Sequence, residues 1–373
     1  MKICLISSAD MDMPYGSTTR PYYISKYLAE FGCEILHICT NPPEVEDENI
    51  KYLLKKYYRN KLWIVRSCMD FFRICKECKK FSPDVIYAHQ ISNATRALPL
   101  KYLLRIPLVY DEHGSYLLQE RPNKKCILWE KMVAEMADKI IVAASDVKKV
   151  FTKTHKIPQG KIKVIENGVS SNLFSPIEKD KRLKENLNIA DHDKVIVFPC
   201  PTIPINRTRA NITALEYLFR LIPEIEERVE NIKFIIPGGG PKPDPPSPNV
   251  IYTGFVQDLP SYINLADICI APYPSSAICG TAGAKNKIIE YFACGKPVIS
   301  TEEGIRGFND AVPNRDFLLA KDPDDFVEKL ITVLNDEELS KKLGENARKL
   351  SLKYDWSKLS KEVLNVLKSL IKT

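Results

Sequence analysis

Two lysines and a glutamate in the second half of the chain are spaced as a set that could bind a phosphate and a diol. They lie in the stretch Gly280–Ser300, where a glycine-bearing loop leads directly into a predicted helix. Backbone N–H groups and the helix dipole favour a phosphate at such a helix start. Lys285 and Lys287 put positive charge in the first turn, which destabilises the helix unless an anionic ligand compensates. Glu290 follows on the same helix face, where its carboxylate can accept hydrogen bonds from a ribose diol.

Loop chemistry alone leaves another interpretation open, because glycine loops recur in many proteins. The stretch is also consistent with a solvated amphipathic helix after an ordinary glycine turn. Position favours a binding site, since ligands in open α/β sheets bind beyond the carboxyl ends of the strands. The elements that surround Gly280–Ser300 therefore matter for its interpretation.

The first half of the chain alternates short apolar runs with longer helix-like stretches. The runs lack period-2 alternation, which is typical of parallel strands buried on both faces. The predicted strands are Ile3–Ser7, Glu34–Cys39, Val85–Ala88, Leu108–Tyr110, Lys139–Val142 and Lys163–Ile165. The predicted helices are Thr19–Phe31, Ala94–Leu104 and Ile127–Ala137. This order predicts a doubly wound α/β domain.

The same pattern restarts after the charged stretch Glu178–Asp193. The predicted strands there are Val195–Phe198, Ile232–Ile236, Val250–Tyr252, Ile268–Ala271 and Val298–Ser300. The predicted helices are Leu259–Ala266, Asn286–Ala293 and Ala210–Ile222, the last of which Pro223 is expected to end or kink. Gly280–Ser300 thus follows a predicted strand. A length of 373 residues fits two such domains.

Composition narrows the function classes. With 45% hydrophobic and 27% charged residues, the chain resembles soluble globular proteins, and no apolar run reaches the roughly 18 residues of a membrane span. Met1–Asp12 is interpreted as a first buried strand instead of a secretion signal. The 11 cysteines lie in apolar contexts and suit buried thiols in a reducing compartment, without a disulfide framework or a zinc site. We therefore expect a cytoplasmic protein.

Positive charge is concentrated in the first half of the chain. Residues 1–190 carry 31 basic against 22 acidic residues, whereas residues 191–373 carry 23 against 25. The stretch Lys51–Lys80 holds ten Lys and Arg residues against two acids, interleaved with aromatic residues. Two interpretations are open: docking on an anionic membrane surface, or a solvated helix face over core aromatics. Nucleic acid is not expected as a partner, because no nucleic-acid-binding motif accompanies the charge.

Sequence blocks along nearly the whole chain resemble family-4 retaining glycosyltransferases of the GT-B fold (glycosyl transferases group 1). Besides Gly280–Ser300, the blocks are Tyr23–Ile35, Pro83–His89, Ala137–Ile141, Lys163–Val169 with Phe174, Gly254–Pro260, Ala266–Ile268 and Asp355–Trp356. Each block alone is weak, but their order is specific. The resemblance implies an α/β protein with two doubly wound Rossmann-like domains facing a central cleft. Residues 1–185 would form the acceptor-binding domain, 186–350 the nucleotide-sugar-binding domain, and 351–373 a C-terminal helix crossing back to the first domain.

The resemblance also implies which residues bind the donor. Glu290 matches the second glutamate of the family's E-x₇-E motif, which binds the nucleotide ribose, but Ala282 stands where the first glutamate is expected. This departure resembles subfamilies with the pattern G-x-x-x-K-x-x-E, in which Lys287 serves the diphosphate. The further donor residues are Gly16, Gly283, Ala284 and Lys285, together with Phe255 and Val256, which match the stretch that lines the base pocket in the family. The family's glycine-arginine pair is missing after the first strand of the second domain, and Arg207 or Arg209 is the expected substitute, unless each belongs to a solvated helix start.

In the first domain, Tyr110–Gly114 matches the block in which the family places a histidine facing the donor sugar, which is His113 here. A lone histidine is more often structural, but a strand end beside two carboxylates favours a catalytic role. His89 is assigned to acceptor binding. Arg20 follows the family's glycine-containing loop and has two open roles: meeting an anionic acceptor or pairing with a neighbouring acid.

Transfer by this family implies a nucleotide-sugar donor, UDP- or GDP-linked, and a glycan or lipid-linked acceptor. The leaving diphosphate would help deprotonate the acceptor hydroxyl, so no nucleophile, metal or cofactor is expected. A lipid-linked acceptor would fit a peripheral position on the inner face of the membrane. Two other functions stay open. They are a nucleotide-sugar 2-epimerase of the same fold and a non-catalytic nucleotide-sugar-binding protein, which Ala282 and the missing glycine-arginine pair would fit.

Overall fold

The computed structural model describes residues 1–11, 18–43, 47–55, 63–118, 123–201, 209–275 and 285–371, with side chains from residue 68 onward in the helix that begins at Trp63. Within these residues the chain forms two compact units. The first comprises Met1–Asn167 and Trp356–Thr373, and the second lies between Gly168 and Asp355. The units therefore divide after residues 167 and 355, compared with the expected boundaries after residues 185 and 350.

The first unit is built on a parallel sheet with the described strand order β3-β2-β1-β4-β5-β6-β7. Its strands are β1 (Lys2–Ile6), β2 (Glu34–Cys39), β3 (Ile50–Leu54), β4 (Val85–His89), β5 (Leu108–Glu112), β6 (Lys139–Val142) and β7 (Ile162–Val164). The order reverses direction beside β1, which pairs with both β2 and β4. Ligands of doubly wound sheets bind beyond the strand ends at such a switch point.

Helices cover both faces of this sheet. They are α1 (Thr19–Glu30), α2 (Trp63–Phe81), α3 (Ile91–Leu104), α4 (Lys124–Met136), α5 (Ser145–Lys153) and, from the end of the chain, the helix Trp356–Lys368. The last of these packs on α1, where the rings of Tyr23 and Trp356 stack with their centroids 5.8 Å apart. The strand residues between the helix layers are almost entirely buried, as the continuous apolar runs predict.

The second unit repeats the design with a parallel sheet whose described strand order is β10-β9-β8-β11-β12-β13. Its strands are β8 (Lys194–Val197), β9 (Ile232–Pro237), β10 (Val250–Gly254), β11 (Ile268–Ala271), β12 (Val298–Thr301) and β13 (Leu318–Ala320). Its helices are α6 (Lys181–Asn186), α7 (Arg209–Arg228), α8 (Leu259–Leu265), α9 (Asn286–Ala293), α10 (Glu302–Ile305), α11 (Pro323–Asn335) and α12 (Glu337–Ser351), so Trp356–Lys368 is α13. The expectation of two doubly wound α/β domains is confirmed.

Several elements differ from the sequence prediction. The prediction lacks the strands β3 and β13 and the helices α5, α6 and α10, and it expects Pro223 to end or kink the helix now numbered α7. The helix instead continues through Pro223 to Arg228. Its buried stripe runs on through Leu221, Ile222 and Ile225, so packing outweighs the single backbone hydrogen bond that a proline removes.

Candidate functional sites at the carboxyl ends of the two sheets

Lys287 lies in the first turn of α9, beyond the carboxyl ends of β8 and β11. Its Nζ donates hydrogen bonds to the carbonyl of Pro199, at 2.6 Å, and to the hydroxyl of Tyr273. The same ammonium lies 4.5 Å from the centre of the Phe198 ring. Two side chains and a carbonyl thus hold a cation at the N-terminus of α9, where the helix dipole also favours an anion.

Lys285 is the N-cap residue of α9, and its side chain makes no capping bond to the helix. Its Nζ instead reaches Glu303 in α10, with 3.2 Å to Oε1, and lies 4.6 Å from the centre of the Tyr273 ring. Arg306 pairs with the other carboxylate oxygen of Glu303 at 3.3 Å. Lys285 therefore ties the start of α9 to the turn after β12.

Glu290 lies one turn after Lys287 on α9 and is partly buried. Burial raises the pKa of its carboxyl to about 7, and the charge of Lys287 only partly offsets this. A carboxylate in this state gains from hydrogen-bond donors that a ligand brings. Two hydroxyls of a ribose diol are such donors.

The residues predicted to line the base pocket follow β10. Phe255 is 52% exposed, and Val256 is partly buried. The backbone of Gly239, after β9, comes so close that a Cβ there would touch the Phe255 side chain at 3.6 Å. At Gly238 a Cβ would overlap Pro201, and φ is +132°, so only glycine fits between the ends of β8 and β9. The loop after β9 therefore lies against Phe255, which stays exposed.

Several predicted donor residues lie outside the described residues: Gly16, Arg207, Gly283 and Ala284. Arg209 is described, and it is the exposed first residue of α7. Of the predicted donor residues that are described, Lys285, Lys287 and Glu290 lie together at the start of α9.

In the first unit, Arg20 forms a buried ion pair with Asp111 at the end of β5. Its Nε and Nη2 donate to the two carboxylate oxygens at 2.8 and 3.1 Å, and both side chains are at most 1% exposed. Of the two roles left open for Arg20, the structure shows the pairing with a neighbouring acid. Burial opposes ionisation of Asp111, but Arg20 and His89 outweigh it and hold the pKa of this carboxyl well below its ordinary value.

His89 ends β4 and is 2% exposed. Its Nδ1 lies 3.3 Å from Asp111 Oδ2, which also accepts a hydrogen bond from the Tyr87 hydroxyl. The ring of His113, in the turn after β5, meets the ring of His89 edge to face with centroids 4.6 Å apart. The predicted acceptor residue and the predicted catalytic residue are therefore in contact, and Asp111 orients the first of them.

The sequence prediction missed Tyr273, Asn211, Glu303 and Asp111 as parts of these clusters. Tyr273 is 1% exposed and donates a hydrogen bond to Asn211 Oδ1 at 2.7 Å. This bond holds in place the hydroxyl that accepts from Lys287. Position after a strand end was the available signal for Tyr273 and Asp111. Asn211 and Glu303 come from helix starts whose place beside the site depends on the fold.

The basic stretch Lys51–Lys80 comprises β3 and α2, with residues 56–62 outside the described part. On α2, Met69 and Phe72 are 66% and 71% exposed, and Lys76, Lys79 and Lys80 are exposed as well. Further aromatic side chains of α2, Phe71 and Phe81, pack against the core. No helix in the described part of the chain is long and apolar enough to span a bilayer.

Comparison with known proteins places both units in one family. Residues 15–173 match Glycosyltransferase Family 4, and residues 203–336 match Glycosyl transferases group 1. An uncharacterised glycosyltransferase of Methanocaldococcus jannaschii is 25% identical over 308 residues, which are 76% of this chain and 75% of that protein. A glycosyltransferase of Rickettsia africae has a similar structure, with a TM-score of 0.77, 17% identity and coverage of 100% of this chain and 99% of that one.

The HepE protein of Anabaena, solved in complex with UDP-glucose, superimposes with a TM-score of 0.76 at 16% identity and covers 99% of this chain and 100% of its own. At such identities these superpositions show the fold. The two family matches follow one another along the chain and together span most of it. The chain is therefore a glycosyltransferase of group 1, family 4, with the GT-B fold.

Proposed function

We propose that this glycosyltransferase moves a sugar from a UDP- or GDP-linked donor to a glycan or lipid-linked acceptor, with retention of the anomeric configuration. The observation that carries the proposal is the arrangement of Lys287 and Glu290 on α9. A cation held at a helix N-terminus suits a diphosphate, and a partly buried carboxylate one turn later suits a ribose diol. The second unit would bind the donor and the first unit the acceptor.

UDP is the first nucleotide to test, because the structurally similar HepE was solved with UDP-glucose. Thermal shift with UDP, GDP and ADP identifies the base, since a ligand that binds only the folded state raises its stability. We expect UDP or GDP to raise the melting temperature and ADP to have a smaller effect. An equal response to all three would contradict base recognition by this site.

Release of the nucleoside diphosphate tests the enzymatic part of the proposal. The rate of UDP or GDP release is measured with purified protein and the matching nucleotide sugar. It should be higher when a membrane extract is added as the source of acceptor than without the extract. NMR of the product's anomeric proton should show the configuration of the donor. Nucleotide binding without any release would support the non-catalytic alternative, and interconversion of the free nucleotide sugar would support the epimerase.

The proposed reaction needs no metal, since Lys287 and the start of α9 can stabilise the leaving diphosphate. Among the described residues, no three His, Cys, Asp or Glu side chains are grouped so as to hold a metal ion. Nucleotide release should therefore persist in EDTA. If EDTA abolishes nucleotide release and Mg²⁺ or Mn²⁺ restores it, the reaction does need a metal ion and this prediction is wrong.

A peripheral membrane position is the last part of the proposal, and the exposed face of α2 supports it. Phe72 and Met69 are apolar and exposed beside Lys76, Lys79 and Lys80, a combination that suits an anionic membrane surface. Co-sedimentation with vesicles containing phosphatidylglycerol should exceed that with phosphatidylcholine alone. The Phe72→Ser variant should lower it. Binding that is equal for both vesicle types and insensitive to Phe72→Ser would show that α2 is simply a solvated face.

A further inference from the structure

Glu112, the last residue of β5, is a buried carboxylate to which two different turns of the first unit donate hydrogen bonds. Its Oε2 accepts from the backbone N–H of Ile91, at 2.9 Å, and from the Tyr110 hydroxyl, at 2.7 Å. Its Oε1 accepts from the backbone N–H groups of His113 and Gly114, at 2.9 and 3.4 Å. One side chain therefore joins the start of α3 to the turn that follows β5.

The start of α3 needs such an acceptor. Its N-cap residue, Gln90, has a φ of +67° and makes no side-chain capping bond. The Glu112 carboxylate supplies the bond from a neighbouring strand, and a negative charge is favourable at a helix N-terminus. Since His89 directly precedes Gln90, the position of its ring depends on how this turn is held.

The two turns that Glu112 joins carry the two histidines of the first unit's candidate site. The rings of His89 and His113 meet at 4.6 Å with an interplanar angle of 79°. Asp111 orients the His89 ring but makes no hydrogen bond with the backbone of His113 among the contacts of the described residues. Glu112 is bonded to the backbone on both sides of this contact.

We propose that Glu112 is a positioning residue, which holds His89 and His113 in edge-to-face contact and so fixes the direction of the His113 ring during sugar transfer. The proposal rests on the proposed function, because the catalytic role of His113 does. Glu112 itself need not touch the donor or the acceptor. Its effect would pass through the backbone of the two turns.

The charge state of Glu112 decides how many bonds it can accept. The pKa of its carboxyl is raised to about 7, mainly by burial and further by the nearby Glu130, against the opposing effect of the Tyr110 hydrogen bond. Burial also raises the pKa of the Tyr110 hydroxyl, which therefore remains a donor. Glu130 is itself bonded to His155 Nε2, at 2.8 Å, and to the Ser115 hydroxyl. His113 and Tyr116 are the other titratable residues of the turn after β5, and Tyr116 acts on the Tyr110 hydroxyl.

Activity and stability should then respond to pH in opposite directions. Protonation as pH falls through about 7 removes acceptor capacity, so the His113 turn loosens and turnover falls. The folded pKa lies above the ordinary value of 4.5, so the folded state binds more protons than the unfolded state between these values. For this group, stability therefore decreases as pH rises from 4.5 to 7. A turnover loss at low pH without a stability loss is the signature of positioning.

The direct test uses protein labelled in its five histidines, whose ring signals are observed by NMR and assigned through single His→Asn variants. Glu112→Gln keeps the side-chain shape but replaces one acceptor oxygen by a donor. We expect the His89 and His113 signals to move and those of His192, in the second unit, to stay. Unchanged His89 and His113 signals in the variant would overturn the inference, whether or not a substrate is known.

Asn123→Ala is the matched control. The Asn123 side chain caps α4 by accepting from Lys125 N and Cys126 N, so its loss lowers stability without touching the His113 turn. The control should leave the His89 and His113 signals in place. If it moves them as far as Glu112→Gln does, general loosening of the unit explains the effect and the inference fails.

The kinetic test measures UDP release from UDP-glucose with membrane extract. Glu112→Gln should lower kcat about 10–100-fold, the cost of a misplaced catalytic group, with KM for UDP-glucose within about twofold. The fall of kcat below pH 7 should disappear in the variant. A wild type that releases no nucleotide from any donor would contradict the proposed function, whereas the histidine signals would still decide the role of Glu112. If the histidine signals move in Glu112→Gln but kcat does not change, the position of the His113 ring does not affect sugar transfer, and that part of the proposal is wrong.

Discussion

The carboxyl ends of the two sheets carry carboxylates whose environments differ in kind. In the first unit, Asp111 receives hydrogen bonds from Arg20, Tyr87 and His89 and is fully buried. In the second unit, Glu290 is partly buried, and Lys287 is the charge that acts on it. The pKa of Asp111 is held well below its ordinary value, whereas the pKa of Glu290 is raised to about 7. The two sheets share the order of their first six strands, yet the protein lowers the pKa of a carboxyl group in one unit and raises it in the other.

The difference indicates what each sheet end contributes. Hydrogen-bond donors of the protein itself already satisfy Asp111, so this cluster fixes geometry and leaves the Asp111 carboxylate little capacity for a ligand. Glu290 is destabilised as an anion until a ligand brings donors, so part of its binding capacity is reserved for that ligand. On this basis we expect substitutions in the first cluster to affect folding first and substitutions in the second to affect binding first.

Asp111→Asn should have the largest effect. It leaves the Arg20 guanidinium buried without its counter-charge, and breaking a buried pair in this way costs about 3–5 kcal/mol. Urea unfolding should show this loss. Glu328→Gln, which removes an exposed partner of Arg228, is the control and should cost far less stability, because water screens an exposed pair. If both substitutions cost the same, the buried pair does not anchor the first unit.

Lys287→Met should instead affect binding. Methionine keeps the contact with the Phe198 ring but removes the charge beside the start of α9. We expect UDP affinity to fall about 10–100-fold by calorimetry, the worth of one or more charge-assisted hydrogen bonds, with a small change in stability.

Lys296→Met is the control for this substitution. Lys296 precedes β12, at the other end of the same sheet, and its Nζ donates to the carbonyls of Asn264 and Ala266. This variant should lose stability and keep its UDP affinity. If Lys296→Met lowered UDP affinity and Lys287→Met lowered only stability, the donor site would not lie at α9.

The sequence predicted the elements that carry continuous apolar runs and clear end signals. β2, β6, β11 and α9 have the predicted limits, because each contains an apolar run with glycine, proline or a charged residue at one end or both. β3 was missed because it is an edge strand whose residues are mostly partly exposed within a basic stretch. β13, with three residues, is too short for a pattern.

At the candidate sites, too, the sequence predicted side chains that lie within one element but not contacts between elements. Lys287 and Glu290 were predictable because the helix spacing brings them together within one element. The pairing of Arg20 with Asp111 joins residues 91 positions apart, and the contact between His89 and His113 depends on two neighbouring strands. A sequence pattern identifies strand ends, but which strand ends are neighbours is decided by the fold. The roles of Glu290, Lys287 and His113 stay predictions until the variants are measured.

The smallest effect should be a pH dependence of donor binding that Glu290 causes. Its ionised form accepts both ribose hydroxyls, so affinity should rise several-fold as pH increases through about 7, where the group titrates. UDP-glucose is the ligand to use, because its diphosphate is a diester and lacks the phosphate pKa near 6 that UDP has. Calorimetry between pH 6 and 8.5 should show the rise, and Glu290→Gln should remove it.

This pH dependence also separates the two sheet ends. Glu112 has a similar pKa, but its protonation should change kcat and leave donor affinity alone. Glu290→Gln should therefore flatten the affinity profile while the fall of kcat below pH 7 remains, and Glu112→Gln should do the opposite. If either substitution flattened both profiles, donor binding and the His113 turn would be one titrating system. The assignment of donor affinity to Glu290 and of kcat to Glu112 would then be wrong.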